Sequence, residues 1–219
     1  MVSGCIQEIR ECGDSGMRIA VDKAQKDGKH DIKHNQMIEL GHELMFLPLP
    51  VGDYMLIDDT VQEVINRRGD KLKKMDLIGC CRRSVDTKQD MNEVYGNIIG
   101  KSHARFRDEL ILAQQNGIEL IILIESYPEV KHLDDVKRWE NWGQLRAYCR
   151  RNGIRMGQGM MDRIKDYAAH GGQKPPVSGE QLYKCMLSLS SRYGVKWCFC
   201  SPEETGKAII YLLTKEGFR

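Results

Sequence analysis

Short β-rich apolar runs alternate with stretches of helical spacing along this chain. Met17 to Val21 is an apolar run ending at Asp22. Glu43 to Leu49 is a second, closed by Pro50, and Met55 to Ile57 resumes a strand after Gly52-Asp53. Between the first two, residues 26–33 are polar and turn-like. His34 to Leu40 then has helical spacing and stops at Gly41, a residue suited to a helix C-terminus. Ser84 to Lys88 reads as a strand end. Met91 to Ile99 and Ala104 to Asn116 read as helices, the second stopped by Gly117. Ile118 to Ile124 is interrupted only by Glu119. A run apolar on both faces belongs at the centre of a sheet covered by helices. Glu180 to Arg192 is amphipathic and closed by Gly194, and Val195 to Cys200 forms a last strand. Ser201-Pro202-Glu203-Glu204 then offers a cap, a proline at the first helical position and a glutamate at the third, opening a helix that runs to Thr214.

Strands alternating with helices predict an α/β fold, a three-layer sandwich around a central mixed sheet. Two polar stretches break the alternation. In residues 58–84, Val61, Val64 and Ile65 suit a helix, and Arg67, Arg68, Lys71, Lys73, Lys74, Arg82 and Arg83 make the stretch basic. Residues 126–176 carry Trp139, Trp142 and several arginines among loop-forming glycines. The organisation expected is an N-terminal extension over 1–16 and a single domain over 17–219, with insertions at about 58–84 and 127–177.

Composition narrows the classes. With 33 Lys and Arg against 31 Asp and Glu, the net charge of +2 is too mild to announce nucleic-acid binding by itself, so any basic patch must be local. No apolar run approaches the length of a membrane span, so no membrane contact is expected. The start lacks a basic and an apolar leader segment, so no secretion is expected. The eight cysteines form no Cys-x-x-Cys, which speaks against a zinc ribbon. Cys198 and Cys200 alternate with Trp197 and Phe199 and read as buried free thiols on a strand. A reducing compartment, the cytoplasm, is expected.

The richest segment for chemistry is Val85-Asp86-Thr87-Lys88. Positions two apart on a strand face the same way, so Asp86 and Lys88 project together. An acid two residues before a lysine is the second half of the PD-(D/E)xK signature, in which the acid binds a divalent metal and the lysine orients or deprotonates the attacking water. Taken alone it is an exposed ion pair in most chains. His30 and His34 lie four apart, either a metal pair short of further ligands or a solvated helix start. His103 is either a phosphate contact or a surface histidine. Trp139 and Trp142 either stack on bases or anchor packing.

The order of these segments resembles the XPF-like nuclease domain of the PD-(D/E)xK superfamily, in particular its small stand-alone phage and bacterial forms. The residues that carry the resemblance are Val21-Asp22, Leu49-Pro50-Val51-Gly52-Asp53-Tyr54, Asp86-Thr87-Lys88, Arg105-Phe106-Arg107-Asp108-Glu109-Leu110 before the central strand, and Arg192 to Thr205 as the closing strand and helix. It covers roughly residues 17–126 and 178–214. The resemblance implies a restriction-endonuclease-like α/β/α sandwich. It also implies a Mg²⁺-dependent DNA endonuclease (Mn²⁺ as alternative) acting on branched or flapped DNA, cytoplasmic, and able to pair as a homodimer through C-terminal helices, where Ala208, Ile209, Leu212 and Leu213 form an apolar stripe. Carried over, Asp22, Asp53 and Asp86 are metal ligands, Asp53, Asp86 and Lys88 are catalytic, Gln25, Asn92 and Glu93 support them, and Arg67, Arg68, Lys73, Lys74 and Arg105 meet DNA. The chain departs from the family where Lys23-Ala24-Gln25 replaces an Arg-Glu pair after the first acid, where Asn92 follows the lysine, and in a longer spacer between Asp53 and Asp86. A nuclease-fold DNA-binding protein with weakened catalysis is the alternative reading, and an unrelated α/β interaction protein a third.

Overall fold

The computed structural model describes residues 16–25 and 28–215; apart from Gly16, the extension expected over 1–16 lies outside them. Six strands form one sheet: β1 (Arg18–Asp22), β2 (Glu43–Leu47), β3 (Tyr54–Leu56), β4 (Arg83–Lys88), β5 (Glu119–Glu125) and β6 (Lys196–Cys200), in the order β2-β1-β3-β4-β5-β6. Only β3 runs against its neighbours, so the sheet is mixed. Eight α-helices are described: α1 (Asp31–Glu39), α2 (Asp59–Arg68), α3 (Met91–Ile98), α4 (His103–Gln115), α5 (Trp142–Arg151), α6 (Met160–Ala169), α7 (Gly179–Tyr193) and α8 (Thr205–Thr214).

Side-chain alternation explains the layers. Ile19, Val21, Tyr54, Val85, Ile121 and Leu123 point to one face and are covered by α1 and α8. Ala20, Met55, Leu120, Ile122 and Ile124 point to the other, where α2, α3, α4 and α7 lie. The fold is therefore an α/β sandwich with helices on both faces of a mixed sheet. Both faces of β5 are buried, as its unbroken apolar run requires. Among the described residues, no helix is long and apolar enough to cross a membrane.

Several boundaries differ from expectation. Helix α1 starts at Asp31, three residues before the apolar spacing begins, because the acid suits a helix N-terminus. Ser201 does not cap a backbone N–H. Its hydroxyl donates to Glu204 Oε2 at 3.1 Å over a turn of 3₁₀ helix, and α8 begins at Thr205. The 58–84 stretch is an integral layer, since Val61, Leu72, Leu77, Cys80 and Cys81 join the main core. In the 127–177 stretch, Val130, Val136 and Trp139 join that core, while α5 and α6 close on a small core of their own made by Leu145, Tyr148, Cys149, Met160 and Ile164. Ala208, Ile209, Leu212 and Leu213 are all buried against the sheet, which leaves none of that stripe for a second copy.

Candidate active site

The sheet register brings three aspartates into a row. Val21 pairs with Tyr54 and Tyr54 with Val85, so the next position on each adjoining strand is Asp22, Asp53 and Asp86. Because β3 is antiparallel, its beginning lies at the same sheet edge as the ends of β1 and β4. Two backbone bonds fix the row: Asp22 N–H to Asp53 O at 2.8 Å and Asp53 N–H to Val85 O at 2.9 Å. Val21, Tyr54 and Val85 face α1 and α8, so the aspartates one residue on fall on the opposite side, toward α3 and α4. Gly52 makes the turn into the row possible. It has φ +67, and a Cβ there would lie 2.2 Å from Ser84 Oγ. Its N–H donates to Glu109 Oε1 of α4 at 2.8 Å.

Asp22, Asp53, Asp86 and Lys88 all line one open cleft of about 760 Å³. Within it, Thr87 fixes Asp53: its N–H and its hydroxyl donate to Asp53 Oδ2 at 2.9 and 2.6 Å. Asp22 Oδ1 accepts from the N–H groups of Ala24 (3.3 Å) and Leu49 (3.4 Å). The Lys88 ammonium stands 2.5 Å from Asp86 Oδ2 but outside hydrogen-bond geometry, so this buried oxygen has no hydrogen-bond partner.

Burial pushes the Asp86 carboxyl up to about 8; Lys88 pulls it down, while Asp53 and Glu109 add to the rise. For Lys88, burial alone would lower the pKa. Attraction from Asp86, Asp53 and Glu109 outweighs burial and holds the ammonium above its ordinary value. Asp22 is raised by burial and by Asp53, against its two backbone donors. The lining holds the carboxylates of Asp22, Asp53, Asp86, Glu93, Asp108 and Glu109 against the cations Lys29, Lys74, Lys88 and Arg105.

Among the described residues, no three His, Cys, Asp or Glu side chains stand close enough to hold a metal ion together. The row itself explains this. Neighbouring strands are about 5 Å apart, so Asp22 and Asp86, at its two ends, are about twice that distance apart. Asp53, in the middle, can share an ion with one neighbour at a time. Two carboxylates plus water and substrate phosphate are the usual protein share of a Mg²⁺ site. The oxygen-only donors therefore fit Mg²⁺ or Mn²⁺, with Asp86 Oδ2, which makes an ion pair with Lys88 and no hydrogen bond, open to a cation.

Of the other residues singled out in the sequence, Gln25, Glu93, Lys74 and Arg105 line the cleft, whereas Asn92, Arg67, Arg68 and Lys73 do not. Asn92 is exposed and turns to Asp90 at 3.3 Å. Arg68 pairs with Asp76 at 2.7 Å. Gln25 Oε1 accepts from the Tyr54 hydroxyl at 3.4 Å, and its amide nitrogen is buried without a partner. His30 and His34 are half-buried rather than a solvated helix start. His34 meets the Tyr54 hydroxyl at 3.1 Å, His30 lines the cleft, and burial lowers both pKa values. His103 Nδ1 instead lies 2.8 Å from the Ile98 carbonyl. Sequence reasoning missed Thr87 and Glu109. The available signal for Glu109 was its place four residues after Arg105, on the same face of one helix. Comparison of the chain with family models, with curated proteins and with solved structures finds no match.

Proposed function

We propose that this chain is a Mg²⁺-dependent DNA endonuclease, with Mn²⁺ able to replace Mg²⁺, hydrolysing phosphodiester bonds on branched or flapped DNA in a reducing cytoplasm. One observation supports the reading above all: four side chains spread over 67 sequence positions meet in one cleft because three adjoining strands put them there. Asp53 and Asp86 would hold the ion, with Asp22 beside Asp53. When bound, the ion supplies activation of a water and positive charge against the scissile phosphate. Thr87 holds the Asp53 carboxylate in place from behind. Lys88 keeps its proton, so its ammonium is available to orient the water and to offset charge on the phosphoryl oxygens. Lys74 and Arg105 stand on the cleft wall where a DNA backbone would pass.

A second reading, a nuclease-fold DNA-binding protein with weakened catalysis, draws on Gln25, which brings an amide into the cleft where the resembling family has a carboxylate. Gln25→Glu adds a charge with almost no change in volume. Under the nuclease reading it lowers the Mg²⁺ needed for half-maximal cleavage of a labelled fork by about tenfold. Superimposable titrations would place Gln25 outside the ion's reach, and no cleavage by either protein with Mg²⁺ or Mn²⁺ would leave the binding reading.

A homodimer, which the resemblance implies, cannot use the buried α8 stripe. Among the exposed apolar side chains of the described residues, Ile32, Ile38, Leu40 and Phe46 lie along α1, its C-terminal end and the edge strand β2. Under this proposal Phe46→Glu converts a dimer to a monomer in sedimentation. A wild-type chain that sediments at 25.1 kDa at micromolar concentration would end it.

A further inference from the structure

The 127–177 stretch leaves the sheet at the end of β5, where Ile124 pairs with Lys88 of the candidate site. Its two helices, α5 and α6, pack on each other through their own core rather than contributing to the main one. They also resolve the tryptophan pair. Trp139 is buried and packs on Tyr95, with ring centroids 6.1 Å apart. Trp142, at the first position of α5, is 51% exposed and does no comparable packing.

Trp142 forms one wall of an open cavity of about 700 Å³, with Met156, Met160, Met161 and Arg146 around it. The loop that carries Met156 is held closed by Arg163, whose guanidinium donates twice to the Arg155 carbonyl, at 3.0 and 2.8 Å. The cavity is thus a built feature of the α5–α6 unit. Its charge is also distinctive. Residues 142–174 hold seven Lys and Arg against two Asp and no Glu, a net +5 in a chain whose total is +2. Trp142, Arg146 and Arg150 fall four residues apart on one stripe of α5. Among the described residues, the side chains of Arg146, Arg150, Arg151 and Arg155 make no hydrogen bond or ion pair. All four are exposed. One carboxylate, Asp162, also lines the cavity. An exposed indole and the exposed Met156 thioether, among guanidinium groups that outnumber that carboxylate, fit a polymer with flat apolar rings on an anionic backbone.

We propose that the α5–α6 unit is a grip for single-stranded DNA, with Trp142 stacking on an unpaired base and Arg146 and Arg150 meeting the adjoining phosphates. The choice of polymer rests on reading the cleft as a DNA site. A duplex keeps its bases stacked inside, so only unpaired nucleotides can reach the indole. A nuclease acting at flaps or branches would use such a grip to hold the single strand beside the cleavage site.

The test is the fluorescence anisotropy of a dye-labelled short oligo(dT) titrated with the full chain in EDTA, so that no cleavage occurs, with the chain's own tryptophan emission followed beside it in wild type. Trp139 and Trp197 are buried, so quenching of accessible tryptophan reports Trp142. Wild type should be quenched and should bind oligo(dT) more tightly than a duplex of equal length. Trp142→Ala should weaken oligo(dT) binding about fivefold or more and erase that preference. Trp142→Phe, which keeps a ring, should restore most of the affinity. Arg146→Gln should lower the salt dependence by about one phosphate contact. Equal affinity of wild type and Trp142→Ala for oligo(dT) overturns the proposal, as does a preference for duplex. So does a change of oligomeric state on Trp142→Ala with DNA binding unaltered, which would make the surface a contact between copies. Fork cleavage in Mg²⁺ is scored separately. Binding through Trp142 without cleavage would end the nuclease reading alone, and cleavage indifferent to Trp142 would end this proposal alone.

Discussion

Asp86→Asn and Lys88→Ala should each reduce fork cleavage by about a thousandfold or more while changing DNA affinity little. The two parts of this result have different physical origins. Affinity for DNA comes from cations meeting phosphates, and Lys74, Arg105 and the arginines of α5 remain in both variants. Rate comes from charge placed where the reacting phosphate develops it, and only Asp86 and Lys88 at the end of β4 are buried and paired there. Asp86→Asn keeps the side-chain volume and removes a carboxylate that burial already disfavours. It leaves the Lys88 ammonium still facing Asp53 and Glu109, so the fold is expected to survive. Circular dichroism and thermal melting distinguish a folded inactive variant from an unfolded one. Turnover within tenfold of wild type in either folded variant would move the chemistry elsewhere.

The layered α/β architecture was legible in the sequence because β5 shows an unbroken apolar run and the helices flanking it show helical spacing. The Asp22–Asp53–Asp86 row was legible only through the resemblance. Local pattern marks Asp53 as a turn residue, and nothing in it says that β3 runs antiparallel and so returns Asp53 to the edge where β1 and β4 end. Thr87 was not legible as a site residue, and the hydrogen bond that brings in Glu109 was not legible either, though its place one turn after Arg105 was. Glu109 acts across 57 positions on the Gly52 N–H, and Thr87 across 34 positions on Asp53. Such long-range hydrogen bonds leave no periodic trace. The basic run over 67–74 shows the opposite failure. Composition marked it as a unit, but α2 ends at Arg68, and the turns that follow carry Lys74 to the cleft while Arg68 pairs with Asp76. The α8 stripe was visible, but how many of its sides the sheet would cover depends on packing that spacing does not reveal.

Lys33→Met should lower the stability of the fold by about 3–5 kcal/mol, a fall in melting temperature of roughly 6–20 °C for a chain of this size. Lys33 is 6% exposed on the sheet side of α1, ion-paired with Glu125 at the end of β5. It falls four residues before Met37, on the face of α1 that packs against the sheet, and is buried near the ends of β4 and β5. Removing the ammonium leaves the Glu125 carboxylate nearly buried without its counter-charge, and that uncompensated charge, rather than the lost contact, sets the size of the effect. Glu125→Leu should fall in the same range for the mirror-image reason. Replacing both, Lys33→Met with Glu125→Leu, removes the uncompensated charge and should recover most of the loss. The pair also lies behind the candidate site: Lys33 Nζ is 3.5 Å from Thr87 Oγ1, and the Thr87 hydroxyl donates to Asp53 Oδ2 at 2.6 Å. The ammonium favours the hydroxyl turning its oxygen toward Lys33 and its proton toward Asp53. The double variant should therefore be stable yet cleave more slowly than wild type, with Asp53 held by the Thr87 N–H alone in a fixed orientation. Chemical denaturation of the four proteins gives the coupling energy directly. A single Lys33→Met variant within 1 kcal/mol of wild type would mean that water reaches Glu125 and that the pair is a surface contact.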